Sequence, residues 1–485
     1  MTITNLIKNL EPVQVIGNTG LDVKSIEFDS RKVAAGTLFV AMSGTAVDGH
    51  SFIDKAVGQG AVAVVCEKLP ENIDGDAYKG TTFIQVKSSA VALGMLANCW
   101  FGNPSRSLTL VGVTGTNGKT TIATLLYKLV RSFGKKAGLL STVCNYIEDE
   151  AVAATHTTPD PMELNSLLRR MVDAGCEYAF MEVSSHSVVQ ERIAGLDFDG
   201  GVFTNLTRDH IDYHKTFENY RDAKKAFFDR LPKTAFAVTN KDDRNGMVML
   251  QNCKAQKYAY SLQSLADFKG QILEEDFDGM QMNINGMEVI IPLVGRFNAY
   301  NALAIYGTAV NLGFEPLEIL RVMSTLKPVN GRFETIRSGK GWTAIVDYAH
   351  TPDAVANVID TINQIRKPDS ALITVVGCGG NRDKGKRPMM AQEAVKGSTR
   401  VILTSDNPRD EEPQDILNDM IAGLSDNERR NTLTIIDRRE AIRTACMLAQ
   451  SGDVILVAGK GHEDYQIIKG VKHHFDDHEI VRECC

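Results

Sequence analysis

Two stretches of the sequence carry residue types and spacings suited to phosphate chemistry. Gly115-Thr-Asn-Gly-Lys-Thr-Thr121 follows an apolar run at 108–114 and precedes an amphipathic pattern reaching about residue 133. Strand, glycine loop and helix in that order surround phosphate oxygens with backbone N–H groups, place Lys119 at the outer oxygens and offer the Thr120 hydroxyl to Mg2+. The usual longer spacing would put glycine where Val113 stands, so the loop is a shortened variant. Gly115, Thr116, Asn117, Gly118, Lys119, Thr120 and Thr121 are the candidate nucleotide-phosphate-binding residues of this loop. The second stretch is a helical stripe, Tyr220, Ala223, Lys224, Phe227, Phe228 and Leu231, in which five positions are apolar and the sixth is a lysine. Such a lysine can snorkel to solvent. Lys225 lies off the stripe and is read as an ordinary solvated charge.

A phosphate loop serves enzymes and nucleotide switches alike. Asn240-Lys-Asp-Asp243 fits a guanine-reading pattern, and Asp197-Phe-Asp-Gly200 and Asp276-Phe-Asp-Gly279 each fit DxxG. With 40 glycines in the chain an Asp-x-x-Gly match carries almost no information, and a switch leaves the last third of the chain unexplained.

These residues need a scaffold. The 485 residues are 43% hydrophobic and alternate apolar runs with helix-period stretches, which indicates an α/β protein with parallel sheets. Three domains are expected, 1–103, 104–328 and 329–485, with polar connections near 101–106 and 326–332. The third has strand candidates at 343–346, 371–376, 400–404, 434–436 and 454–458, an order that suits a Rossmann-like domain. The formal net charge of -7 opposes nucleic-acid binding, and no run approaches the roughly 18 apolar residues a membrane helix needs. The first 17 residues lack a basic segment followed by an apolar core, so a cytoplasmic location is expected. Nine scattered cysteines without CxxC spacing argue against disulfides or zinc.

Further motifs appear at His156-Thr-Thr-Pro159, Glu182-Val-Ser-Ser-His186, Asn205-Leu-Thr-Arg-Asp-His-Ile-Asp-Tyr-His214, Gly295-Arg-Phe-Asn-Ala-Tyr-Asn301, Gly331-Arg-Phe-Glu334 and Asp347-Tyr-Ala-His-Thr-Pro352. Gly377-Cys-Gly-Gly-Asn-Arg-Asp-Lys-Gly-Lys386, Asp406-Asn-Pro-Arg409 and Gly459-Lys-Gly-His-Glu463 complete the set. Together with the phosphate loop they resemble the Mur ligases, ATP-dependent enzymes that build the cell-wall peptide stem. The resemblance implies an N-terminal α/β UDP-binding domain, a central P-loop ATPase domain with a parallel sheet, and a C-terminal Rossmann-like domain. It implies that a substrate carboxylate attacks the γ-phosphate of ATP and that an amine then attacks the acyl phosphate. The substrates would be UDP-MurNAc-L-Ala-D-Glu and meso-diaminopimelate; L-lysine as the added residue, or a folylpolyglutamate-synthase-like reaction, are the alternatives. A monomer is expected.

By the same resemblance Lys119, His210 and Lys224 are catalytic, and Mg2+ is held by Thr120, Glu182, His210 and a carbamylated Lys224. For Asp212 and His214 a solvated-loop reading stands beside the functional one. Asn298, Asn301, Arg332 and Asp347 would reach ATP, although an Asn opening a helix at 299–312 could simply cap it. Phe28, Ser30, Thr45, Ala46 and Val47 would lie near the UDP, and Thr157, Thr158, Ser184, Gln190 and Arg192 near the muramoyl-dipeptide. Read as structure, Asp406-Asn-Pro-Arg409 is a helix start: Asp406 or Asn407 can cap, Pro408 suits the first turn, and residues 410–412 are acidic. Only Arg409 is unexplained. By resemblance Arg382, Asp406, Asn407, Pro408, Arg409, Gly459 and Glu463 bind diaminopimelate, whose second carboxylate suits an arginine fork.

Overall fold

A computed structural model describes residues 1–44 and 47–485. Two compact units are present, Met1–Gly112 with Phe133–Gly200, and Val113–Ser132 with Gly201–Cys485. Thr45 and Ala46 lie outside the described residues.

The first unit contains a five-stranded sheet in the order Gln14–Ile16, Thr82–Gln85, Ala63–Cys66, Thr37–Val40, Ser25–Glu27, parallel except for its first strand. The strands Thr37–Val40 and Ala63–Cys66 are buried at every position, which is why they read as unbroken apolar runs rather than alternating ones. A second group runs Tyr178–Glu182, Ala137–Leu140, Asn145–Ile147, Glu150–Val152. The helix Pro161–Asp173 starts with Pro161 at its first position and the Asp160 side chain accepting from the N–H groups of Met162 and Glu163.

In the second unit, strands Gly200–Phe203, Phe236–Asn240, Gln256–Ser261 and Phe268–Asp276 lie side by side and continue into a meander, Gly279–Ile284 and Met287–Ile291. A separate six-stranded sheet has the order Glu334–Arg337, Thr343–Asp347, Val454–Ala458, Leu372–Cys378, Arg400–Ser405, Thr432–Thr434, antiparallel only at the first pairing. Four of the five expected strands of this sheet fall where the apolar runs placed them. The fifth covers Thr432–Thr434, starting two residues before 434–436.

The Asp347, Gly377, Asp406 and Gly459 motifs all lie at the carboxyl ends of these parallel strands, the edge where open α/β sheets bind ligands. Among the described residues no helix is long and apolar enough to cross a membrane, and all nine cysteines are free.

Candidate active site

The strand Thr109–Thr114 leads through the glycine loop into the helix Lys119–Ser132. Gly115 and Gly118 have φ of 150° and 89°. A Cβ on Gly115 would overlap Thr204 Oγ1, and one on Gly118 would sit 2.5 Å from Asn301 Oδ1, so both positions require glycine by space as well as by conformation. The Lys119 ammonium folds onto its own loop, donating to the carbonyls of Gly115 at 2.9 Å and Thr116 at 2.8 Å.

Lys224 meets the same carbonyl. The helix Phe217–Asp229 buries Tyr220, Ala223, Lys224, Phe227 and Phe228, and Lys224 is 1% exposed. It does not snorkel: its Nζ donates to Gly115 O at 2.7 Å and lies 4.7 Å from the centre of the Tyr220 ring. Burial and the neighbouring Lys119 charge hold the Lys224 ammonium well below its usual pKa, against the pull of Asp209. The Tyr220 hydroxyl lies 3.0 Å from Thr116 Oγ1, tying the helix to the loop. Lys225 corrects the sequence reading: its side chain is 12% exposed and pairs with Asp229 at 2.7 Å, one helical turn on.

His210 has a left-handed backbone, φ 54°, and its ring lies 6.1 Å from that of Tyr220, edge to face. Asp209 accepts from the His210 N–H at 2.9 Å and lies 3.4 Å from its Nε2. Burial pushes the Asp209 carboxyl up, but the positive fields of His210, His350 and Lys386 outweigh it and leave the pKa lowered. Sequence reasoning missed His350 and Lys386 as individual residues, although both stand in quoted motifs. Lys386 Nζ donates to the His350 carbonyl at 3.0 Å, and burial with the Lys386 charge pushes the imidazole down to about 4. His214 is buried against Tyr220, whereas Asp212 sits in the first turn of the short helix Ile211–His214.

Arg332 donates to Thr120 Oγ1 at 3.2 Å and lies 4.3 Å over the Tyr348 ring, so the loop after residue 331 reaches the phosphate loop. Asn117 joins the same parts through Asp353 at 3.3 Å. Asp347 accepts from the N–H groups of Phe333 and Ala349, each at 2.7 Å. Asn298 and Asn301 are not caps. The helix runs Arg296–Asn311 with Gly295 before it, Asn298 donates to Val294 O at 2.7 Å, and Asn301 donates to Asn298 Oδ1 at 2.8 Å. This internal ladder places Asn301 against Gly118.

The guanine-reading motif is structural. Asp243 accepts from the N–H groups of Leu206 and Asn245, and Asn240 donates to Thr204 O. Asp276 closes a hairpin turn, and Asp197 pairs with Arg106.

In the first unit, Thr157 accepts from Thr142 Oγ1 at 3.0 Å, and the Thr158 hydroxyl donates to Glu182 O at 2.8 Å and reaches Ser184 Oγ at 3.4 Å. Arg192 donates to Thr158 O at 2.6 Å and grips Gln190 Oε1 through Nε and Nη2. Five expected dipeptide contacts and Glu182 therefore gather around one strand end. Glu182 is buried and accepts from the Thr142 N–H at 2.7 Å. Ser30 is buried in a short turn capped by Asp29, while Phe28 and Val47 are exposed.

Asp406–Arg409 does not start a helix. The next helix is Pro413–Ile421, with Glu412 before it and Pro413 in its first turn, so the first-turn role assigned to Pro408 belongs to Pro413. Glu411 instead grips the fully buried Arg387 through both its oxygens. Arg409 has a left-handed backbone, φ 53°, fixed by bonds to a hairpin: its N–H donates to Ile467 O at 3.0 Å and its carbonyl accepts from the Lys469 N–H at 2.6 Å. Its Nη1 donates to Gly380 O at 2.7 Å. Burial and the nearby Arg382 charge lower the Arg409 pKa, against the pull of Asp406 and Glu463. Asn407 donates to Glu463 Oε2 at 2.7 Å, and a Cβ on Gly459 would lie 2.7 Å from Asp406 Oδ2.

Comparison with known proteins agrees with this arrangement. The Mur ligase middle domain matches residues 113–309, the Mur ligase glutamate ligase domain matches 331–461, and the Mur ligase family catalytic domain matches 22–100. A UDP-N-acetylmuramoyl-L-alanyl-D-glutamate--2,6-diaminopimelate ligase of Parabacteroides distasonis is 63% identical, over 100% of this chain and 99% of that relative. One of the same name from Phocaeicola vulgatus is 60% identical with the same coverage. A solved structure of a ligase so named aligns with a TM-score of 0.70 at 33% identity, covering 100% of this chain and 98% of its own. With the phosphate loop, the buried Lys224 and the Arg409 loop beside the six-stranded sheet all inside the matched regions, the chain belongs to the Mur ligase family.

Proposed function

We propose that the chain is an ATP-dependent ligase that joins meso-diaminopimelate to UDP-N-acetylmuramoyl-L-alanyl-D-glutamate. The observation that carries this reading is Arg409. Its backbone is locked by the hairpin and its Nη1 is used on Gly380 O, while its remaining donors have no protein partner among the described residues and face a second guanidinium, Arg382. Free guanidinium donors beside a second cation suit an incoming anion, and the carboxylate that distinguishes diaminopimelate from lysine would supply one. Glu463 would accept from the distal ammonium. A folylpolyglutamate-type ligase should lack the UDP-binding domain, and the matched five-stranded sheet of the first unit favours the muramoyl reading.

In the reaction, Lys119 would exchange its loop carbonyls for the outer phosphate oxygens of ATP, and Arg332 would approach from beside Thr120. Both reacting groups are anions, so cations between them lower the barrier. Among the described residues no three His, Cys, Asp or Glu side chains gather as a metal site, which fits a Mg2+ bound mainly through phosphate oxygens and one or two protein oxygens. Thr120, Glu182, His210 and a carbamate on Lys224 are the proposed ligands. When bound, the ion would neutralise charge on the transferred phosphoryl group. Lys224 suits carbamylation because only a neutral amine adds to CO2, losing a proton as the C–N bond forms, and burial with the Lys119 charge favours the neutral amine. The proposed setting is a cytoplasmic monomer.

The test is phosphate release from ATP in the presence of UDP-muramoyl-dipeptide and each candidate amine. Turnover with meso-diaminopimelate should exceed that with L-lysine by a factor on the order of 10^4, and Arg409→Ala should lose most of that preference. Comparable turnover with lysine would overturn the assignment, and a preference for GTP without amine-dependent turnover would restore the switch reading.

A further inference from the structure

We propose that Lys460 is a positioning residue for the incoming amino acid: its buried ammonium, with the Asn407 carboxamide, holds one oxygen of Glu463 so that the other is presented to the distal ammonium of the substrate. The inference rests on the reading that Glu463 faces the amino acid.

Lys460 is 0% exposed, and lysines are almost never fully buried without a partner that needs them. Its Nζ lies 3.2 Å from Glu463 Oε2, donates also to the Tyr465 carbonyl, and sits 5.5 Å from the centre of the Tyr465 ring. Asn407 Nδ2 reaches the same Oε2 at 2.7 Å. Two donors therefore converge on one carboxylate oxygen, while Oε1 has no protein partner among the described residues.

The ammonium also roots the hairpin Tyr465–Ile468 and Val471–His474, which carries the Arg409 loop. Gln466 Nε2 donates to Asp406 O at 2.6 Å, and the Ile467 N–H donates to Asn407 Oδ1 at 2.9 Å. One lysine thus links the group expected to read the ammonium to the strap that aims the group expected to read the carboxylate.

Charge explains why the tie is a cation. Burial and the nearby Asp406 carboxylate push the Glu463 carboxyl up, and Lys460 with the Asn407 hydrogen bond pulls it back. Arg409 and Arg438 are the other cations coupled to Glu463, and Tyr348 and Tyr465 are the neutral titratable neighbours. Without Lys460 the carboxyl would hold its proton to higher pH and offer the substrate a neutral acid.

The experiment uses the full-length enzyme. Wild-type turnover with meso-diaminopimelate is measured first, so that failure of the ligase reading appears separately. K460M should then raise KM for meso-diaminopimelate about tenfold, the effect of one charge-assisted hydrogen bond, with KM for ATP and for the UDP-dipeptide nearly unchanged. The acid limb of kcat/KM for the amino acid should move up by about one pH unit, and K460R should leave that limb in place. K460Q, which keeps a donor toward the Tyr465 carbonyl but carries no charge, serves if K460M does not fold. An unmoved acid limb, or a parallel rise in KM for all three substrates, would overturn the proposal. So would failure of both neutral variants to fold while K460R folds, since the charge would then serve the fold rather than the substrate.

Discussion

Lys224 and Arg438 are both buried cations that donate to a backbone carbonyl at or just past the carboxyl end of a strand, yet their surroundings differ in one respect. Arg438 donates to Ala458 O at 3.0 Å and forms a two-point pair with Asp477, Nε to Oδ1 at 2.9 Å and Nη2 to Oδ2 at 2.7 Å, with neither side chain exposed. Lys224 donates to Gly115 O and shares that oxygen with a second ammonium, Lys119, while no carboxylate pairs with it among the described residues. The electrostatic outcomes are opposite. Asp477 raises the Arg438 pKa despite burial, whereas burial and Lys119 lower that of Lys224. A buried cation that holds a fold is paired, because an unpaired one costs several kcal/mol. One left without an anion beside a phosphate loop is a candidate for chemistry rather than for scaffolding.

The largest effect expected from breaking this contrast is on turnover at the unpaired site. Lys224→Ala should reduce kcat by roughly 10^3-fold, the scale seen when one electrostatic contact to a transition state is lost. A short-chain carboxylate at high concentration should restore part of the rate if the missing group is a carbamate. Unchanged turnover would make Lys224 a packing residue. Lys225→Ala is the comparison: it breaks only the pair with Asp229, and the loss of stability should stay within about 0.5 kcal/mol with kcat intact.

At the paired site the expected loss is in stability. Asp477→Asn leaves the Arg438 guanidinium buried against a neutral amide and should cost about 3–5 kcal/mol in urea unfolding. The folded fraction should keep its kcat, as Asp477 touches no group assigned to a substrate. A variant as stable as the parent would show that the pair is not what secures Arg438.

The smallest effect concerns pH. His350 is held at about 4 by burial and the Lys386 charge, whereas an imidazole in the unfolded chain protonates near 6.5. Between those values the unfolded state binds more protons, so stability should fall as pH drops from 6.5 toward 4. His350→Gln should flatten that part of the profile, and an unaltered slope would mean that other groups set it.

The phosphate loop and the Lys224 stripe were legible in the sequence because both are local: a loop between two short elements, and a helical period read across twelve residues. The alternation of apolar runs likewise placed most strands of the six-stranded sheet, since strands buried on both faces need no partner to be recognised. What the sequence could not supply came from contacts between distant residues. Asp406–Arg409 has the residue types of a helix start, yet a hairpin some sixty residues further on binds the left-handed Arg409 backbone, and the helix begins at Pro413. Asn298 has the type of a cap, and its place inside the helix depends on how Gly295 enters it.

The burial of Lys460, the grip of Arg387 on Glu411 and the pairing of Arg438 with Asp477 are likewise tertiary. A charged side chain has the same composition whether solvated or enclosed, and the energy that decides between the two comes from the partner the fold brings to it. By itself the sequence determined the glycine loop between its strand and helix, the Lys224 stripe and most strands of the six-stranded sheet. The tertiary structure alone decided which charges are enclosed, which are paired, and which backbone is held left-handed around them, because each depends on partners distant in sequence.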